Sequence, residues 1–328
     1  MACPSPSAFQ TPTRTSPEYS HVSTTMANGQ SPGVKRGSRL SLANRQAISG
    51  YLLVLPALAL LIGLVAYPFF FAIAISFTDR MVGQAGSWIG LDNFRYLAKN
   101  PSFIKTIQNT IIMVVVSDIL KLIIGLGLAM LLNQAVRGRG LMRGLIMLPW
   151  AMPGFVAFLV WKLLYMPIGG AFNLILTKTG IHPEIIDYLG QKSTALPAVI
   201  IATVWRGFPF WAISFLAALQ GVPNELYEAA KVDGASSWQR FWDITLPSIR
   251  PVILIVILMS SIWTANSFEN IWIMTQGGPS DATMVFPVLA YFGMQTHRLG
   301  EAAAVSVAMI PALLILVFFV TWLIQEGD

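Results

Sequence analysis

The sequence predicts an all-α protein that crosses a membrane six times. Of its 328 residues, 55% are hydrophobic and 11% charged, against roughly a quarter charged in an ordinary soluble domain. Six apolar stretches, at about 50 to 77, 107 to 133, 142 to 165, 195 to 220, 252 to 274 and 302 to 324, each reach the ~20 residues a helix needs to span a bilayer. None alternates polar and apolar residues as barrel strands do, so in lipid, where the backbone must satisfy itself, these runs are helices.

The first element is a tail. Residues 1 to 46 are rich in Ser, Thr and Pro and end in Lys35, Arg36, Arg39 and Arg45, a composition with too little apolar surface to fold alone. The apolar run behind it is too long, and lacks a small-residue cleavage site, for a secretory signal. We read a disordered cytoplasmic tail at 1–46, with Met26 an alternative start, followed by a six-helix domain at 47–328. Pro56, Pro68, Pro153 and Pro209 fall in or near the spans and are expected to mark kinks.

Orientation follows from Lys and Arg, which favour cytoplasmic loops. Arg137, Arg139 and Arg143 crowd the short loop before the third span and fix it inside. Both termini are then cytoplasmic, as is the segment 221–251 with Lys231, Arg240 and Arg250. The opposite loops are longer and carry fewer basic residues. This distribution accounts for the net charge of +6, and the bilayer rather than nucleic acid is the expected partner.

Enzyme chemistry finds little footing. Cys3 is the single cysteine, and His21, His182 and His297 lie far apart, without the short spacing that places two rings on one ion. No metal site and no catalytic residue are expected. No G-x-x-x-x-G-K-[ST] phosphate loop occurs, so this chain is expected to bind no cofactor.

The loop between the fourth and fifth spans is unusual. From Glu225 to Pro247 it reads ELYEAAKVDGASSWQRFWDITLP. Strong helix formers run to Val232, Gly234 can take a left-handed turn, Ser236 can cap a second helix, and Pro247 is expected to end it. Two short helices joined at a glycine would form a rigid knob. Ala229, Ala230 and Ala235 would let a partner approach closely, and Glu228 and Asp233 could pair with its basic groups.

That run, Glu228-Ala-Ala with Asp233-Gly-Ala and Pro247, resembles the EAA loop of permeases in ATP-binding-cassette importers, which docks on the ATPase subunit. Gly90-Leu-Asp-Asn-Phe94, Leu148-Pro-Trp-Ala-Met-Pro153 and Thr275-Gln-Gly-Gly-Pro279 are similar to signatures of the sugar permeases of maltose and glycerol-phosphate importers. The resemblance covers about residues 48 to 324. It implies a type I importer permease fold in a bacterial inner membrane and a pathway working by alternating access. The implied partners are a second, distinct homologous permease, two ATPase subunits that use ATP and Mg, and an extracytoplasmic solute-binding protein.

It also implies substrate-path positions: Trp150 and Gly154; Thr203, Arg206 and Gly207; Trp263, Thr264 and Ser267. Their spacings suit three helix faces converging on one cavity, although tryptophans and small residues also serve as ordinary packing in membrane helices. Arg206 stands out, because a charge inside a span costs ~2.5–3.5 kcal/mol on insertion scales. It suggests an anionic substrate such as an acidic oligosaccharide or a sugar phosphate, or else an ion pair with Glu269 or a position nearer the membrane surface. Asp118 and Lys121, three apart in the second span, read as a self-neutralising pair in preference to a proton relay. Other classes are a secondary transporter, against which the EAA loop speaks, a membrane enzyme, and a permease for an amino acid or phosphate.

Overall fold

The computed structural model describes residues 42–134 and 137–326, so nearly all of the expected tail lies outside the described residues. The chain divides into two units, Met1–Ala59 and Leu60–Asp328. The described part of the first is helical throughout, and the second holds the packed core.

Helix α1 (Leu42–Leu61) passes through a π-helical turn, Ile62–Ala66, into α2 (Tyr67–Ser76). The turn ends two residues before Pro68, so the carbonyl that the proline ring would crowd, on Leu64, lies in the widened turn. A short α3 (Asp92–Lys99) precedes α4 (Pro101–Asn133), whose first turn is capped by Asn100 accepting from Ser102 N at 2.9 Å. The next helices are α5 (Arg139–Ala151), α6 (Gly154–Leu164), α7 (Ala171–Lys178) and α8 (Ala195–Gln220). They are followed by α9 (Asn224–Val232), α10 (Ser237–Arg240), α11 (Leu246–Ala265), α12 (Glu269–Met274), α13 (Phe286–Gln295) and α14 (Leu299–Gln325).

Among the described residues, five helical runs are long and apolar enough to cross a membrane, and a sixth span results if the bent pair α5–α6 counts as one. Two expectations are corrected in detail, and a third is sharpened. The kink expected at Pro153 is abrupt: α5 and α6 meet at 88°. Pro153 has no N–H to give and forces Met152 into extended backbone, φ −70° and ψ 139°. The fifth span begins earlier and ends sooner than 252–274. It runs from Ser237 to Ala265, and Asn266 terminates it by donating its side chain to Ile262 O at 2.9 Å. Pro247, finally, does not end the helix that starts at Ser237. A second π turn, Phe241–Thr245, again two residues ahead of the proline, carries the helix through.

The core of the larger unit has three apolar clusters. Val199, Ile271 and Val288 centre one among α6, α8, α12 and α13. Trp211, Phe215 and Ile249 centre another among α4, α8 and α11. Leu97, Phe103 and Val305 belong to a third, among α3, α4, α13 and α14. Helices α4 and α8 form the spine. A β carbon on Gly125 would fall 2.6 Å from Trp211 Cβ, the close backbone approach that small residues permit between membrane helices.

Candidate functional site: a mixed aromatic and charged cavity

A cavity of about 130 Å³ opens beside this spine. Helix α8 supplies Thr203, Arg206, Gly207, Phe210 and Trp211. Lys121 comes from α4, Trp150 from α5 and Phe158 from α6. Ser260, Trp263 and Thr264 of α11, Ser267 beyond it and Glu269 of α12 complete the wall. Seven of the eight sequence-derived path residues therefore line one space. The eighth, Gly154, stands behind it: a β carbon there would collide with the Glu269 carboxylate.

The helical-face reasoning holds for only part of this set. Thr203, Arg206 and Gly207 do share one face of α8. Trp150 and Gly154 do not share a face, because the chain breaks between them at Met152 and Pro153. Ser267 lies beyond the end of α11, so Trp263 and Thr264 reach the cavity from the helix and Ser267 from the turn.

The aromatic walls are ordered. The Phe210 and Trp263 rings meet edge to face at 5.1 Å between centroids. Trp150 and Trp263 remain 46% and 49% exposed, leaving flat apolar faces that a ligand could cover.

Charge in the cavity is distributed unequally. Lys121 and Asp118 are buried and 3.3 Å apart. Lys121 also donates to Ser260 Oγ at 3.2 Å and Thr264 Oγ1 at 3.0 Å. Asp118 accepts from Ser260 at 2.6 Å and from Ser261 at 2.7 Å. The pair thus neutralises itself and ties α4 to α11. Arg206, near the middle of α8, is different. Its guanidinium lies over the Phe158 ring, 5.8 Å from the centroid, and its buried Nε has no hydrogen-bond partner. Among the described residues it joins no ion pair with Glu269 or any other acid. A buried donor without a partner is uncommon in a folded protein.

Sequence reasoning missed Asn270, which is fully buried. Its amide donates to Thr203 Oγ1 at 2.9 Å, and its carbonyl accepts from Ser267 Oγ at 2.7 Å and Ile271 N at 2.8 Å. Two of the path hydroxyls are thereby held in place by one side chain. The polar run Asn266-Ser267-Phe268-Glu269-Asn270 inside the fifth apolar stretch was the signal available.

The exposed segment after α8 has the geometry of a rigid knob. Gly234 is left-handed at φ 79°, with Ala235 N donating to Ala230 O at 2.8 Å and Gly234 N to Lys231 O at 3.1 Å. This is a Schellman closure of α9. Ser236 and Gln239 form a capping box on α10. Tyr227 Oη, 3.1 Å from Thr245 Oγ1, joins the two arms. No residue of α9 or α10 is buried, and Val232 and Trp238 are 88% and 69% exposed. Glu228, Ala229 and Asp233 are also exposed, with Ala230 and Ala235 half-buried.

Residues 121–326 match the family model described as binding-protein-dependent transport system inner membrane component. The chain is similar to the trehalose/maltose transport system permease protein MalF of Thermococcus litoralis, 33% identical over 86% of this chain and 95% of the relative. It is also similar to the diacetylchitobiose uptake system permease protein DasB of Streptomyces coelicolor, 32% identical over 85% and 87%. In three dimensions it superposes on a chain of a bacterial ABC transporter involved in the import of the acidic polysaccharide alginate, with a TM-score of 0.76, 24% identity, and 87% and 97% of the two chains covered.

Proposed function

The chain belongs to the family of binding-protein-dependent transport system inner membrane components, and from that membership we propose that it is the permease subunit of an ATP-driven importer of sugars or oligosaccharides. The observation that carries this reading is the cavity beside α8. Exposed tryptophan faces, hydroxyls and charged groups in one space suit a pyranose, which has apolar faces and a polar rim. Relatives named for trehalose, maltose and diacetylchitobiose support the same substrate class.

At about 130 Å³ the cavity is smaller than the ~300–1,000 Å³ of ordinary ligand clefts. One permease would therefore supply part of the path, and a second, homologous permease would supply the rest. ATP and Mg would be bound by two separate ATPase subunits, and a solute-binding protein would deliver the sugar outside the membrane. Both termini would be cytoplasmic, placing the α9–α10 knob on the ATPase side. Closure of the ATPases would push this knob, with Glu228, Asp233 and the small Ala229, Ala230 and Ala235 at the contact. Because α10 continues through its π turn into α11, the push would reach Trp263 and Thr264 directly and turn the cavity from one side of the membrane to the other.

Arg206 favours an acidic oligosaccharide within this class. Lys121 is already paired, whereas the Arg206 guanidinium is free to meet a carboxylate, a bidentate partner well matched to its planar fork.

The test is ATP-dependent uptake of labelled oligosaccharides into vesicles carrying this chain with its partner subunits. Trp150→Ala and Trp263→Ala should each raise the KM for sugar, with membrane insertion unchanged. Uptake kinetics identical to wild type in both variants would remove the cavity from the substrate path.

A further inference from the structure

A second concavity, of about 430 Å³, lies between α4 and α8 and shares no lining residue with the first. Its α4 wall is the row Ile112, Val116 and Leu120, spaced by four and so stacked on one helix face. These side chains are 45%, 38% and 36% exposed. Leu196, Ile200 and the half-exposed Ile201 form the α8 wall. The groove is therefore mostly apolar, with Asn109 and Ser193 as its neutral polar lining.

One end of it is basic. Gly207 meets Lys121, and Trp211 meets Gly125, so α4 and α8 run parallel in a constant register. Near the helix starts, Lys105 in the early turns of α4 and Lys192 just ahead of α8 both line the groove. Neither lysine has an ion-pair or hydrogen-bond partner among the described residues, and no acidic residue lines the groove. Single lysines near helix ends commonly reach for the headgroup layer. Here two converge on one apolar furrow.

We propose that this groove is a binding site for an anionic phospholipid, with an acyl chain laid along Ile112, Val116 and Leu120 and the headgroup phosphate held by Lys105 and Lys192. From Lys105 to Leu120, fifteen rises of 1.5 Å give a groove about 22 Å long, the depth of one leaflet with its headgroup layer and about half of a bilayer. The two lysines at its end, without an ion-pair partner among the described residues, select an anionic headgroup.

The importer, with its partner subunits, is reconstituted in vesicles of mixed phosphatidylglycerol and phosphatidylcholine, extracted in mild detergent, and its retained lipid counted by native mass spectrometry. Wild type should retain phosphatidylglycerol over phosphatidylcholine. Lys105→Ala and Lys192→Ala should each weaken that retention about fivefold, from the typical attraction of one basic side chain to an anionic surface. Val116→Trp, which fills the furrow and leaves the lysines, should lower retention of both lipids. Equal retention of the two lipids by wild type, or retention unchanged in the lysine variants, overturns the proposal. So does efficient cross-linking of Val116→Cys to a partner permease in the intact complex, which would mean that a protein segment occupies the groove.

Discussion

The stem of Lys121 lies across Gly207: a β carbon on that glycine would stand 2.8 Å from Lys121 Cε. The glycine makes room for the charge network that closes one side of the cavity. Overpacking at such a site costs ~1–3 kcal/mol. Gly207→Val should displace Lys121 from Ser260 and Thr264 and slow sugar uptake strongly, while Gly207→Ala, which needs only a shift of the flexible lysine end, should fall between it and wild type. Initial uptake rates of the three proteins, normalised to membrane content, check the order.

Removing one member of the buried Asp118–Lys121 pair should be worse than removing both. Asp118→Ala leaves an uncompensated charge in the bundle, a loss of ~3–5 kcal/mol when a buried pair is broken. In Asp118→Ala/Lys121→Met no charge remains, and the melting temperature in detergent should recover most of the way. A double variant no more stable than Asp118→Ala would mean that the unpaired Lys121 charge is not what destabilises the single variant.

The turn at Gly234 should tolerate asparagine and reject valine. Its φ of 79° costs an L-residue ~1–2 kcal/mol, more for a branched side chain, whereas Asn is an accepted alternative at this helix-ending position. Gly234→Val is expected to insert normally, keep its cavity and lose the coupling of ATP hydrolysis to uptake. Measuring both activities in one vesicle preparation separates uncoupling from misfolding.

Asn270→Ala should strike the cavity from behind. It unties Thr203 and Ser267 and leaves Ile271 N without its side-chain partner, a loss of ~1–3 kcal/mol for buried groups left unsatisfied. Because the hydroxyls it holds line the cavity, sugar KM should rise as stability falls. A stability loss with unchanged KM would confine Asn270 to packing.

The spans were legible in the sequence because lipid allows few alternatives to a helix, and seven of the eight path residues share one cavity. The interruptions were less fully legible. Pro153 marked a kink, but the size of the turn there, 88°, lies beyond hydropathy, which is blind to backbone donors. Pro247 looks like a helix end, yet the π turn before it removes the clash that would have made it one. The Asp118–Lys121 spacing was readable along one helix, but the hydroxyls of Ser260, Ser261 and Thr264 that complete the network come from another. The pairing of Arg206 with Glu269 was a reasonable expectation from charge alone. The carboxylate instead packs against Gly154, where the absence of a side chain leaves it space, and among the described residues Arg206 has no acid to pair with.

The most direct measurement is sugar-stimulated ATPase activity of the reconstituted importer, comparing wild type with Arg206→Ala and Arg206→Gln across matched acidic and neutral oligosaccharides delivered by their binding proteins. The account predicts stimulation by an acidic sugar that both substitutions abolish, while any stimulation by a neutral sugar persists. Stimulation by neutral sugars alone, unchanged in both variants, would contradict it and make Arg206 a packing residue.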